Sequence, residues 1–439
     1  MKSALKFIGV LAGIAFMFAF GFAWRDLQKL EPPSKEAFLA LSGHSGRSPS
    51  TLSAVQVFRQ SYHRILDRFA GKTDAKDLKY AAMEGMMASL GDPHTMFLPP
   101  EAAESFSIET KAKFVGVGAR LRPDPLGARA VMVFEQGPGY RMGLRVGDWI
   151  VEVNGQKVAG LELNKIVSQI RGEEGTFVRL GILREGDHSI RELRVPRESV
   201  VTPTVQGRTL PETSIGYLAV DSFSEPTGAQ FESTFRKLES EGIEALVVDV
   251  RGNPGGLLDT AREMLSLFIE DKVVVKMRLK SGKEEIVPSF AGNRKLIRMP
   301  TVILIDGDSA SASEIFAGVL HDYRLATLIG ETTFGKAAVQ NVFKLKDNAS
   351  AKITIAKYLL PSGVDISRKV DEDGQYVSGG IKPDIEVSND PNNPPIIGDP
   401  KSDEPLKAAV ELLRSKLGAH WLPAPTDDIS RASTRTEWA

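Results

Sequence analysis

The 439-residue chain contains no cysteine. That absence removes disulfides, thiolate nucleophiles, CxxC redox chemistry, an N-terminal lipid-modified cysteine and every cysteine-ligated metal site. It leaves the redox compartment open, since a cysteine-free chain tolerates either. Histidine is scarce as well. There are six, none in an HExxH arrangement, which argues against a zinc hydrolase; no metal is expected, and no organic cofactor is expected either. An excess of charge of one sign is also lacking: 55 Lys+Arg face 56 Asp+Glu, a net charge of -1. No global field draws nucleic acid, and none is expected as a partner. No internal repeat is visible. With 42% hydrophobic and 25% charged residues the chain is ordinary folded protein, long enough for two or three domains.

Long apolar runs are confined to one place. Lys2 and Lys6 precede Phe7 to Trp24, 18 residues without a charge. As a helix this run extends about 27 Å, close to the hydrocarbon thickness of a membrane. Basic residues ahead of it predict a cytoplasmic N-terminus with the remainder outside. Small residues at Ala19/Gly21 or Gly21/Ala23 offer a cleavage site, so residues 1–24 read as a signal peptide or a membrane anchor. Residues 25–50 are rich in Pro, Gly and Ser and read as a linker.

Residues 51–108 form an N-terminal helical region. Val55, Phe58, Tyr62, Ile65, Leu66 and Phe69 recur at helical spacing, and a second helix over 75–90 stops at Gly91-Asp92-Pro93. Residues 114–195 read as a small, mostly β module with one short amphipathic helix, ELNKIVSQIRG. From Gly216 the texture changes. Continuous Val/Ile/Leu strands (IGYLAV, ALVVDV, TVILID) alternate with helices, which predicts an α/β core with a parallel-rich sheet over about 199–395. Residues 396–439 read as a C-terminal helix, from Leu406 to Leu417, and a flexible tail.

Two loops fall at carboxyl ends of the core strands, where open α/β sheets gather their active sites: RGNPGGLLD after Val250 and DGDSASASEI after Ile305. A serine in the second loop stands where a helix begins, with N–H groups that lack intrahelical partners nearby. Ser309, Ser311 and Ser313 could equally cap that helix, and composition does not choose between them. GxSxG is absent. GETTFGK, Gly330 to Lys336, nearly matches a phosphate-binding loop, but Ala337 replaces the required hydroxyl and strand sequence follows where a helix should. Freed of phosphate, Lys336 has another use. Desolvation lowers a lysine from about 10.4, and a neutral lysine can deprotonate a serine with no histidine.

SASASEIFAGVLHD, Ser309 to Asp322, followed by IGETTFGKAAVQ, Ile329 to Gln340, resembles the C-terminal processing (tail-specific) protease family, Ser/Lys peptidases carrying an inserted PDZ domain. The resemblance implies Ser311 as nucleophile, Lys336 as base and Gln340 as the group that orients the lysine. It implies oxyanion donors from Gly255 or Gly256 with Ala312. Residues 109–198 would be the PDZ domain. Phe114, Val117 and Gly118 would bind a peptide C-terminus, which adds a strand beside them. LGDPHTMFLPPE, QGPGYRMGLRVGDWIVEVNG, YLLPSGVDISR and GGIKPDIEV extend the likeness over about residues 50–417. Unfolded or tail-exposed proteins are the implied substrates, in the periplasm, with the chain exported and anchored or released there. An adaptor or activator and self-association stay open as partners. The rival reading is a PDZ scaffold with a silent protease core. Three departures stand out: Ala337 after the lysine, where its methyl is expected to narrow the site, the acidic DGDS approach, and a lengthened KVDEDGQYVSG.

Overall fold

The computed structural model describes residues 51–418, apart from 188, 293–294 and 393. The apolar run Phe7 to Trp24, the linker and the tail beyond 418 lie outside the described residues. Among the described residues no helix is long and apolar enough to cross a membrane.

The described residues divide into two compact units, one up to residue 79 and one from residue 80. In the first, helix α1 (Thr51–Arg68) ends before Gly71–Asp74, and α2 (Ala75–Ala88) follows, running past residue 79. The Tyr62 hydroxyl donates to the Ala75 carbonyl at 2.7 Å, pinning the turn between them.

The second unit opens with β1 (Met96–Leu98) and α3 (Pro100–Lys111), which closes on Ala112 in the left-handed region. The chain then enters and leaves the β module through one antiparallel pair, β2 (Lys113–Gly116) on what becomes β9 (Glu198–Val201). Between them lie β3 (Ala119–Asp124), β4 (Gly127–Val133), a short α4 (Pro138–Arg141), β5 (Trp149–Val153), β6 (Gln156–Lys157), α5 (Leu163–Ile170), β7 (Phe177–Leu183) and β8 (Arg191–Pro196). The sheet runs β3-β4-β5-β7-β8, with β6 beside β5, so β3 is an edge strand. Ile150, Val178, Leu180 and Ile182 alternate inward and close on Ile166 and Ile170 of α5.

The core is a six-stranded sheet ordered β10-β11-β12-β15-β16-β21, comprising β10 (Val205–Thr209), β11 (Ile215–Val220), β12 (Ala245–Asp249), β15 (Thr301–Ile305), β16 (Thr327–Gly330) and β21 (Ile385–Glu386). All its pairs are parallel except β10 with β11. Every residue of ALVVD and TVILI is buried, as expected where helices cover both faces. One face carries α6 (Thr227–Ser240), α7 (Leu258–Leu265) and α8 (Ala312–Asp322), with Phe231, Phe235, Met264 and Phe316 against Leu246, Val248 and Ile303. The other face carries α9 (Glu404–Gly418), with Leu406, Ala409 and Leu413 on Val247, Val302 and Leu304. A second sheet places β18 (Ser350–Leu359) between β17 (Ala338–Lys344) on one side and β1 with β13 (Val273–Leu279) on the other; β14 (Glu284–Pro288) borders β13. β19 (Lys369–Val370) and β20 (Tyr376–Ser378) form a hairpin, which is where the lengthened KVDEDGQYVSG goes.

Candidate active site

Four neighbouring strands, β11, β12, β15 and β16, deliver loops to the same carboxyl edge of the core sheet. There a cavity of about 760 Å³ is lined by Ser311, Ala312, Lys336, Gln340, Gly255 and Gly256 together with the start of β17. Residues up to 85 positions apart in the chain thus meet because parallel strands point their ends the same way.

The structure separates the three serines. Ser309 is fully buried, and its hydroxyl donates to the Val250 carbonyl at 2.8 Å. Ser313 is fully buried too and donates to the Asn253 carbonyl at 2.9 Å. Of the three, Ser311 alone borders the cavity. It is the N-cap residue of α8, with φ 55° and ψ -113°. A non-glycine residue in that region is strained, and such strain persists only where the surroundings over-determine it. Ser311 thus stands at a strand–turn–helix junction that lacks the GxSxG signature.

Glu314 is what over-determines it. This residue is completely buried one turn into α8. Its Oε2 accepts the Ser311 N–H at 2.8 Å and the Lys336 N–H at 2.9 Å. Its Oε1 accepts the Gly335 N–H and the Thr333 hydroxyl, each at 2.6 Å. One carboxylate thus ties the start of the serine helix to the lysine loop. Burial pushes this carboxyl above its usual range, against four donors that each favour the anion. Tyr358, buried on β18, adds a second tie: its hydroxyl reaches the Lys336 carbonyl at 2.8 Å and the Ser311 carbonyl at 3.3 Å.

Burial lowers the Lys336 ammonium below the ordinary lysine range, while Glu314 and Asp92 pull the other way. Lys352 borders the same cavity and is lowered by burial and by the Lys336 charge. His94 is lowered by burial and by Lys336, with Asp92 opposing. Gln340 reaches the cavity, but its Nε2 donates to the His94 carbonyl at 3.2 Å. Gln340 thus binds the segment beside the lysine.

The Gly-rich loop is positioned from inside. Asn253, fully buried, donates to the Val220 carbonyl at 2.7 Å and accepts the Gly255 N–H at 2.9 Å. A Cβ on Gly255 would stand 2.9 Å from the Ser311 Cβ and 2.5 Å from the Ala310 carbonyl, so only glycine permits this approach. With Gly255 engaged, the Gly256 N–H is left without a hydrogen bond among the described residues. The Ala312 N–H, the first of its helix, has no intrahelical acceptor. Just upstream, Arg251 bridges Asp249 at 2.6 Å and Asp403 at 2.7 Å, fastening the loop's base to the segment leading into α9.

Two departures acquire a structural role and one expectation fails. Asp306 of DGDS accepts the Gly252 and Ser309 N–H groups, each at 2.9 Å, and so joins the two loops. The lengthened hairpin is fastened to the lysine loop at its base, where the N–H of Arg368, just before β19, donates to the Gly335 carbonyl at 2.7 Å. Ala337 does not narrow the cavity. It is buried and packs in the hydrophobic core, because its carbonyl turns to the Tyr358 N–H at 2.9 Å.

In the β module, FVGVGARL breaks into β2 and β3 at Val117-Gly118, with Gly118 at φ 73°. Their carbonyls are taken by the Gly139 N–H at 2.8 Å and the Phe134 N–H at 2.9 Å. Their N–H groups form no hydrogen bond among the described residues and stand at the head of edge strand β3. Phe114 is half-buried on β2, with the Arg171 guanidinium 5.8 Å from its ring centre.

Residues 214–387 match peptidase family S41, and residues 133–184 match the PDZ domain. Carboxy-terminal processing protease CtpA of Bacillus subtilis (strain 168) is 34% identical over 336 residues, covering 76% of this chain and 69% of that protein. The chain belongs to the carboxy-terminal processing protease family. CtpB of the same organism is 30% identical over 387 residues, covering 87% of this chain and 78% of that one. The photosystem II D1 C-terminal processing protease is 27% identical in its solved structure, at a TM-score of 0.43, with 76% of this chain and 86% of that one covered. As a family member the protein is a serine-type processing peptidase with a PDZ domain and protein substrates, which sets aside the silent scaffold. Glu314, Tyr358, Asn253 and His94 were not singled out from the sequence. An ASE tripeptide at a helix start carries a capping-box signal that points to Glu314; nothing local points to the others.

Proposed function

We propose that Ser311 and Lys336 form the catalytic dyad of this processing peptidase. Neutral Lys336 takes the Ser311 proton as the hydroxyl oxygen attacks the scissile carbonyl. The tetrahedral oxyanion is held by the N–H groups of Gly256 and Ala312, with Gly255 supplying the close backbone approach. Lys336 then returns the proton to the leaving amine, and water hydrolyses the acyl-enzyme by the same route in reverse. The free N–H groups at Val117 and Gly118, with Phe114 beside them, receive the carboxylate of the substrate tail. Residues 1–24 direct export to the periplasm, where tail-exposed or unfolded proteins are met.

The single observation that carries the dyad is the shared oxygen. Ser311 and Lys336, 25 positions apart, both rest their N–H groups on Oε2 of Glu314. The test sets the three serines against each other. Ser311→Ala keeps the melting temperature and loses turnover of an unfolded, tail-bearing substrate. Ser313→Ala loses its bond to the Asn253 carbonyl and Ser309→Ala its bonds with the Val250 carbonyl and the Asp306 N–H, at about 1 kcal/mol of stability per bond, yet both retain turnover per folded molecule. Turnover surviving in Ser311→Ala overturns the assignment.

A further inference from the structure

The cavity holds a second lysine that the dyad does not use. Lys352 sits in the middle of a three-strand strip, directly opposite Met96 of β1 and Val342 of β17. Its neighbours Ala351 and Ile353 turn to the other face, where they pack with Phe97. Alternation therefore aims Lys352 at the cavity, on the face that also carries Val342. Its Nζ stands 5.2 Å from the centre of the Phe106 ring, on α3. The ammonium is half-buried and has no hydrogen bond or ion pair among the described residues. Burial and the nearby Lys336 charge both disfavour its charged form. Glu109, one turn beyond Phe106 on α3, opposes them, but it is exposed and does not pair with Lys352.

An ammonium carries three donors, and water takes them while the cavity is open. A polypeptide that fills the cavity expels that water. The donors then need an acceptor from the substrate, and an apolar side chain there would leave the cation unpaired. A carboxylate meets the need best, because it both neutralises the charge and accepts the hydrogen bonds. We infer that Lys352 is a specificity-determining residue of the protease cavity: it receives a carboxylate of the polypeptide substrate. This rests on the dyad reading and adds a substrate class to it. The strand sets the position. Val342, opposite Lys352, lies four residues beyond Ala338, or about 13 Å at the rise of a β-strand. An extended substrate covers that distance in about four residues, so the acidic group belongs at that remove from the scissile bond, on one side of it.

The test is a set of peptide pairs cleaved by the wild-type protein, each pair carrying Glu or its isostere Gln at one position along the substrate. The inference predicts that Glu raises kcat/KM about tenfold over Gln at one position, or two neighbouring ones, on a single side of the scissile bond. The gain should shrink with added salt and vanish in Lys352→Met, which keeps the stem and is checked for folding by its melting temperature. Lys352→Glu should reverse the preference and favour Lys over Gln at the same position. A second arm ends the peptide at that position, as free acid or as amide. Discrimination found only there, and lost in Lys352→Met, assigns the carboxylate to the chain terminus rather than to a side chain. Equal rates for every pair in both arms, or a preference that survives in Lys352→Met, overturn the inference. Fluorescence anisotropy on Ser311→Ala separates it from the dyad. The same Glu preference in binding supports Lys352 without turnover, and cleavage by that variant would strike only the nucleophile.

Discussion

Glu314→Gln is the perturbation that reaches furthest into the site. The side chain keeps its shape and loses one acceptor oxygen. Four donors converge on the native carboxylate. The new NH2 group must therefore face two of them. The least costly choice points it at Thr333, whose hydroxyl can rotate to accept, and leaves the Gly335 N–H opposed. Hydrogen bonds to a charged group are worth about 1.5–3 kcal/mol each, so the two lost in Glu314→Gln amount to about 3–6 kcal/mol. Acceptance by Thr333 returns about 1 kcal/mol. The expected net destabilisation is about 2–5 kcal/mol by denaturant titration. If the lysine loop relaxes by about 1 Å, kcat falls by about 10²-fold beyond the loss of folded protein, with KM little changed. Glu314→Asp, shorter by one methylene, keeps the charge but cannot span both loops, and should behave similarly. Wild-type kcat in folded Glu314→Gln would refute the clamp.

Three further outcomes follow from the same geometry. Amidating a substrate's C-terminus removes the charge aimed at the Val117 and Gly118 N–H groups, so turnover should fall several-fold at subsaturating concentration; equal turnover of acid and amide contradicts tail capture there. Asp92→Asn removes a carboxylate that favours the charged form of Lys336, so the rising limb of the pH–rate profile should move to lower pH; an unmoved or upward-shifted limb contradicts the electrostatic coupling. Protease added to spheroplasts should digest the protein, and deletion of residues 1–24 should leave it in the cytosol; protection of the full chain in intact spheroplasts contradicts export.

The core was legible because parallel strands buried on both faces write themselves as unbroken Val/Ile/Leu runs, as TVILI does. The ends of those runs located the two loops at the sheet's carboxyl edge. Choosing Ser311 among three serines was not possible locally, because what distinguishes Ser309 and Ser313 is a carbonyl 59 or 60 residues away. The same holds for Glu314. Its capping role to Ser311 is three residues long and visible, whereas its hold on Thr333, Gly335 and Lys336 depends on β15 and β16 lying side by side. Ala337 misled for a related reason. Its position after the lysine suggested the cavity, but strand alternation from Tyr358 turned it into the core.

The central claim is that Lys336 works as a neutral base. Lys336→Arg tests it most directly, because arginine keeps the charge and much of the length but does not deprotonate at any usable pH. Steady-state cleavage of an unfolded, tail-bearing substrate is measured from about pH 6 to 9.5 beside melting curves. The lysine is lowered by burial, so wild-type rate should rise with pH through a value below the ordinary lysine range as the neutral form accumulates. Lys336→Arg should fold with an unchanged melting temperature and stay at the level of Ser311→Ala at every pH, because the two residues act as one unit. Folded Lys336→Arg retaining a tenth or more of wild-type activity would contradict the account and send the search for the base elsewhere in the cavity.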